Sequence, residues 1–361
     1  MAKKKSKLKL AQEKAELAIQ KTNDRIDFLG EKTNDLYIAL TSIQESFDKI
    51  RNIPSDTHLE YEKLKKIRSN WKSQAEKIDR DYKEACVKNT SKGAVGLGLG
   101  VGVVTLGPTA AMGIATTFGV ASTGTAISTL SGAAATNAAL AWLGGGALAA
   151  GGGGMAAGNA FLALAGPVGW AIAGISLLGS GLLLLKTTAD QKRRENIFTL
   201  ISERDIKSYE LAIIELNERI TRIIEETMLL NKAIDEIATF GLDYSKMTEK
   251  QQYTLGSYIN LMNASTQLLV NPIMGLQAKY TEEDFEKFSL TSTIDSSLKK
   301  AIISLANLLY KIELDDKDKS ILYKSLKKNK EFLTAAELKK KDFKEEVLNI
   351  VSTALEHKYH K

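Results

Sequence analysis

The chain has 361 residues and a net charge of +6, and 25 % of its residues are charged. This positive excess is too small and too dispersed to indicate a nucleic-acid partner, although it suits a mildly anionic phospholipid surface. The single cysteine, Cys86, excludes an intrachain disulfide.

The N-terminal flank predicts two amphipathic helices. Within a first helix at 6–52, hydrophobic residues in alternating steps of three and four form a heptad seam over 26–50. Pro54, followed by Ser55 and Asp56, predicts the break before a second helix. The apolar h-region of a Sec signal peptide does not occur before residue 93, so we expect synthesis in the cytoplasm without that signal.

The most unusual feature is an uncharged stretch. Residues 93–185 contain no Asp, Glu, Lys, Arg or His, and they hold 23 of the chain's 27 glycines. Soluble domains rarely run so far without a charge, because their helices and strands each keep a solvated face. We interpret the stretch as a Gly/Ala-rich apolar segment that inserts into a lipid bilayer. Its moderate hydrophobicity suits a switch between soluble and inserted states, and a constitutive hairpin is the alternative.

Small residues recur at helical spacing in this segment, which lets two helices approach closely inside lipid, as in a glycine zipper. The run at 151–154 alone also fits a flexible loop, and the Thr- and Val-rich 101–129 leaves a β-tongue open for the soluble form. The stretch 168–185 is just long enough to span a bilayer as a helix. The candidate residues for insertion and helix packing are Gly96, Gly98, Gly100, Gly102, Gly146, Ala150, Gly154, Gly158, Trp170, Ile175, Leu182 and Leu185.

After the uncharged segment, a second heptad seam at 209–237 predicts a long helix over about 188–239, with Gly241 as its C-cap. A helix at 248–271 ends before Pro272, and the following module carries predicted helices near 282–289, 293–313, 317–328 and 335–357. We expect the two seams to pair as an antiparallel bundle, because the segment between them would form a returning hairpin. Lysines and arginines on both sides of the segment, including the run at 192–194, predict that both flanks stay on one side of the membrane.

The chain carries no convincing catalytic or metal-binding pattern. The glycine runs lack the lysine of a phosphate-binding P-loop. The acidic run at 315–318 lacks the glycine and terminal glutamate of an EF-hand loop and is typical of a helix N-cap. His357 and His360 share a helix face but have no cysteine and no obvious carboxylate partner. We therefore predict no enzyme activity, no cofactor, no metal and no small-molecule substrate.

Long amphipathic helices around one apolar segment resemble the α-helical pore-forming toxins of the cytolysin A and haemolysin BL type. The resemblance is one of architecture and chain length, covers about 20–270, and includes no residue motif. It implies an apolar segment that is released into a target bilayer and a partner that is a second copy or a related helical subunit. The type III secretion translocators look similar too, but here coiled coils lie on both sides of the apolar stretch.

The sequence thus predicts an all-α protein in which an elongated helical bundle or coiled coil surrounds the apolar segment. Its predicted regions are N-terminal amphipathic helices at 1–92, the membrane-inserting segment at 93–185, a long coiled-coil helix and a following helix at 186–275, and a C-terminal helical module at 276–361. The predicted function is insertion into a target or inner membrane, with pore formation or permeabilisation. The alternative is a constitutive inner-membrane scaffold, sensor or membrane-remodelling protein with cytosolic helical arms.

Overall fold

A computed structural model describes residues 7–91, 108–118, 188–291, 294–328, 333 and 339–359. These residues form α-helices joined by turns and short 3₁₀ segments, and the described part of the chain contains no β-strand, so the all-α prediction is confirmed. In chain order the helices are α1 (Lys7–Asp48), α2 (Ser55–Ser91), α3 (Pro108–Phe118), α4 (Thr188–Ile237), α5 (Glu249–Val270), α6 (Glu282–Ser289), α7 (Lys299–Leu309), α8 (Asp316–Leu326) and α9 (Glu346–Tyr359).

The two long helices α1 and α4 pack against each other through the predicted heptad seams. Ile26, Leu29 and Leu36 of α1 are fully buried, and so are Leu216 and Leu230 of α4. A seam of this kind forms because residues three and four apart share one face of a helix. The bounds of both helices agree with the prediction to within a few residues.

The predicted antiparallel direction of this pair is wrong. At one end, the Arg51 N–H donates to the Leu242 carbonyl at 2.9 Å, just beyond the last turns of α1 and α4. At the other end, Leu8 shares a hydrophobic cluster with Ile197 and Phe198, in the first turns of α4. The two helices therefore run parallel. A seam specifies which face is buried but not the direction of its partner, and a connection as long as 49–187 permits either direction.

Helix α2 runs antiparallel to α1 and is tied to it by long side chains. The Tyr61 hydroxyl donates to the Gln44 carbonyl at 2.8 Å, and the rings of Trp71 and Tyr37 lie 5.6 Å apart. Burial and a hydrogen bond to Asp48 raise the pKa of Tyr61 far above its usual range. Because α2 runs antiparallel to α1, the end of α2 lies toward the N-terminal end of α1. The beginning of α4 lies toward the same end, because α4 runs parallel to α1.

Helix α5 returns along α4. It begins at a capping box, in which the Thr248 side chain accepts from the Gln251 N–H and the Gln251 side chain accepts from the Thr248 N–H at 2.8 Å. It ends at Val270, two residues before Pro272, as the sequence predicts. The Ser265 hydroxyl donates to the Glu226 carboxylate at 2.7 Å and so joins α5 to α4.

The C-terminal residues form a second hydrophobic cluster, which also includes Leu8 and the first turns of α4. Asn307 is nearly fully buried there, and its side chain both donates to the Tyr280 carbonyl and accepts from the Tyr280 N–H. Two predicted helices here were too long. The first begins only at Lys299, after a 3₁₀ turn. The second, predicted over 335–357, is not helical over 339–345, because the chain turns over 340–342 to bury the Phe343 ring, and its described helix begins at Glu346. The predicted region boundaries at 185 and 275 stay predictions.

Candidate functional site

The described part of the uncharged segment is helix α3, which packs on α1, α2 and α5. Pro108 is its first residue, where a helix needs no N–H donor and where the fixed φ of proline is favourable. Among the side chains of α3 that the structure describes, the buried ones are small or polar, namely Ala111, Ala115, Thr116 and Thr117, with exposed fractions of 0–2 %, and Met112 is partly buried beside them. A piece of the segment is thus held against helices whose other faces carry charge.

Helices α1 and α3 meet at a crossing of two glycines. A Cβ added to Gly30 would lie 1.9 Å from the Thr109 carbonyl oxygen, and one added to Gly113 would lie 2.3 Å from the Ile26 carbonyl oxygen. Both positions therefore require glycine for the two backbones to touch. This pair of glycines was not predicted from the sequence. The available signal was that Gly30 is the one glycine among residues 1–92, inside an otherwise regular heptad pattern.

Threonines satisfy the polar groups at the same contact. The Thr116 hydroxyl donates to the Thr33 hydroxyl at 3.4 Å, and the Thr117 hydroxyl donates to the Gly113 carbonyl of its own helix at 2.8 Å. The Thr117 carbonyl, near the end of α3, accepts from the Ile273 N–H at 2.7 Å. One of these hydrogen bonds thus joins α3 to α1, and another joins it to the loop after α5.

The loop that carries Ile273 is held in turn by α4. The Arg219 guanidinium donates to the Leu268 and Asn271 carbonyls at 2.7 and 2.8 Å, which caps the end of α5. Burial lowers the pKa of Arg219, and nearby Arg222 adds to the effect. The Glu215 carboxylate accepts from the Gly275 N–H at 3.0 Å. The loop therefore reaches α3 from a fixed position.

Helix α2 forms another wall beside α3 and contains a buried cation. Arg68 is 3 % exposed and donates to the Gln44 side chain of α1, and burial lowers its pKa. Buried unpaired charge is costly, so removal of the Gln44 acceptor should destabilise the contact between α2 and α1.

Helix α4 follows the uncharged segment, and the C-terminal module forms ion pairs with the first turns of this helix. The Arg193 guanidinium lies 2.7 Å from the Asp315 carboxylate and 2.8 Å from that of Asp318, and these pairs hold the pKa of Asp315 below its usual range. Asp315 also accepts from the Asp318 N–H as the N-cap of α8, which confirms the predicted cap. Arg194 is buried, so the run at 192–194 is not a free basic cluster.

A buried ion pair follows three turns later. The Arg204 guanidinium donates to the Leu308 and Tyr310 carbonyls at the end of α7 and to the Asp205 carboxylate at 2.9 Å. Asp205 is 2 % exposed, and burial raises its pKa to about 7, although Arg204 opposes the shift. We therefore expect the stability of this junction to depend on pH near neutrality.

All twelve residues predicted for insertion and helix packing, from Gly96 to Leu185, lie outside the described residues. Helix α3 has 11 residues, about 16 Å of helix. In the part of the chain that the structure describes, none of the helices is long and apolar enough to cross a membrane, and His, Cys, Asp and Glu side chains nowhere gather into a group that could hold a metal ion.

No protein-family model, no curated protein and no solved structure matches the chain. Its function must therefore be argued from its own residues.

Proposed function

We propose that the chain is a membrane-inserting protein that keeps part of its uncharged segment on its own helices and releases it to insert into a bilayer, which it permeabilises. The observation that carries the proposal is the packing of α3, taken from within a 93-residue stretch without charge, at the glycine crossing with α1. An uncharged helix that is buried in this way is protected from water until it is released.

The composition of α3 suits reversible packing. The four side chains of α3 that are described as buried are alanines and threonines, so each of them buries much less apolar area than a leucine would. Close backbone contact at Gly30 and Gly113 adds dispersion attraction that is lost as soon as the helices separate. In lipid, where water no longer favours burial, the same small residues would allow close contact with other uncharged helices.

The position of the two flanks also supports insertion. Ser91 and Thr188 both lie toward the N-terminal end of α1, so the segment between them leaves and returns at one end of the helical body. We expect an even number of membrane spans as a consequence. The partners of this function are a lipid bilayer and other copies of the chain or related helical subunits.

A reversible disulfide between α1 and α3, called the staple below, tests the proposal. The Thr33 and Thr116 hydroxyl oxygens lie 3.4 Å apart, so cysteines at both positions, in a Cys86→Ser background, should form a disulfide with little movement of the backbone. The oxidised chain should fail to release dye from liposomes, and reduction should restore release. The matched controls are each single cysteine, which oxidation should not affect, and a chain without 93–185, which should never release dye.

Two results would count against the proposal. Equal dye release by oxidised and reduced stapled chains would show that α3 need not leave its position. If the unstapled full chain releases no dye and is recovered only with membranes, the constitutive scaffold function is favoured instead.

A further inference from the structure

The outward face of α1 carries a row of acidic side chains. These residues follow one another in steps of three or four, so they share one face, and that face is opposite the buried seam. The acidic residues of this row are all exposed. A separate row to one side consists of Lys14, Lys21, Arg25 and Lys32. The acidic row consists of Asp24, Asp27, Glu31 and Asp35, with Glu45 further along the same face.

The outward face of α2 carries a basic row. Lys63, Lys66, Lys77 and Arg80 are exposed and lie opposite the buried side of α2, which holds Trp71. Asn70 and Ser73 lie between them, and the row contains no acid from 63 to 80; Glu62 and Glu76 lie beside it. The basic row is about 26 Å long.

Each row repels itself within one molecule. Like charges three or four residues apart on a helix destabilise it by a few tenths of a kcal/mol per pair. The pair between Lys32 and Asp35, at 3.4 Å, offsets this repulsion at one end of the acidic row. A partner of opposite charge would relieve the repulsion in both rows.

The two rows match in height. Tyr61 contacts Gln44 and Trp71 contacts Tyr37, which sets the antiparallel register of α2 against α1. In this register Lys77 is level with Glu31, Arg80 with Asp27 and Lys63 with Glu45. Two copies that stand side by side at the same height therefore place these three bases level with these three acids, whereas Lys66 is level with Ser42 and Asp35 with Ser73.

We propose that the chain assembles head to tail, with the basic row of one copy docked on the acidic row of the next. The contact is heterologous, so a pair of copies still has one free row at each end, and the assembly grows into a ring or an open chain. Copies at equal height carry their uncharged segments at the same end, so this assembly rests on the membrane function proposed above.

Two charge-reversal variants of the full-length chain, measured separately and then mixed, test the contact. One variant reverses the basic row with Lys63→Glu, Lys66→Glu, Lys77→Glu and Arg80→Glu. The other reverses the acidic row with Asp24→Lys, Asp27→Lys, Glu31→Lys and Asp35→Lys. Self-association of each variant, measured by sedimentation at low salt and after recovery from vesicles, should be weakened about tenfold or more.

An equal mixture of the two variants should restore assembly, since the reversed basic row of one variant then meets the reversed acidic row of the other, and the two unreversed rows meet at the next contact. The matched control reverses four exposed lysines that lie off both rows, Lys207, Lys232, Lys250 and Lys324, and should assemble like the parent chain. Circular dichroism checks that all variants keep their helices. High salt should weaken assembly of the parent chain, because exposed charges are screened.

Three results would overturn the proposal: a parent chain that stays monomeric in solution and on vesicles, a mixture that fails to assemble, or a basic-row variant that loses binding to phosphatidylglycerol vesicles while its assembly is unchanged. The last would assign the row to lipid headgroups. Dye release separates the two proposals. If the staple controls release but the mixture fails, only the contact is wrong; if the mixture assembles but no chain releases dye, only the membrane function is wrong.

Discussion

Gly30→Ala should loosen α3 even though alanine is the better helix former. In an unobstructed helix this change stabilises by about 1 kcal/mol. At Gly30 the new Cβ would lie 1.9 Å from the Thr109 carbonyl oxygen, and this is backbone that cannot rotate away. Helix α3 must therefore shift, which by analogy with overpacked cores costs about 1–3 kcal/mol and weakens the hydrogen bond from Ile273. We expect a net loss of about 1–2 kcal/mol.

Gly256→Ala is the matched control, because Gly256 lies within α5 and a Cβ there would meet nothing within 4 Å. That variant should gain about 1 kcal/mol. Urea unfolding followed by circular dichroism measures both changes, and hydrogen exchange of 108–118 reports whether α3 is the part that opens. If Gly30→Ala stabilises the chain as much as Gly256→Ala does, the glycine crossing is not a close contact and the reasoning fails.

Two further predictions concern the helical body. Burial raises the pKa of Asp205 to about 7, so the folded chain holds this proton more tightly than the unfolded chain and loses stability as the pH rises toward and through 7. Unfolding free energy should fall by about 2–3 kcal/mol between pH 5 and 8 from this group, and Asp205→Asn should abolish that part of the slope in urea titrations. Thr248→Ala removes the capping box of α5 and should cost about 1 kcal/mol in the same assay, whereas Thr254→Ala, one turn inside α5, should cost less.

Local pattern predicted the helices well where one face is continuously apolar. The bounds of α1, α4 and α5 follow from heptad spacing, from the break at Pro54 and from the capping residue Thr248, all of which act within a few residues of the chain. In the C-terminal module the same local patterns predict helices that are longer than the observed ones. There the burial of Phe343 against the rest of the module outweighs the helical tendency of the lysines and acidic residues around it.

Some features of the candidate site could likewise be predicted from the sequence, and others could not. Absence of charge over 93–185 is visible in the sequence and needs no structure, because burying a charge is costly in lipid and in a protein core alike. The contact of Gly30 with Gly113 and the pairing of Arg193 with Asp315 and Asp318 join residues more than eighty positions apart, and no local pattern relates such residues.

The helical class, the faces that are buried and the place of the uncharged segment were readable from the amino-acid order, because periodicity and charge act through neighbours in the chain. The amino-acid order did not predict three features of the structure. These are the parallel direction of α1 and α4, the position at which α3 packs, and the matching heights of the acidic and basic rows. They depend on which backbones come together in space, and a seam, a lone glycine or a charged face is compatible with many partners until packing selects one.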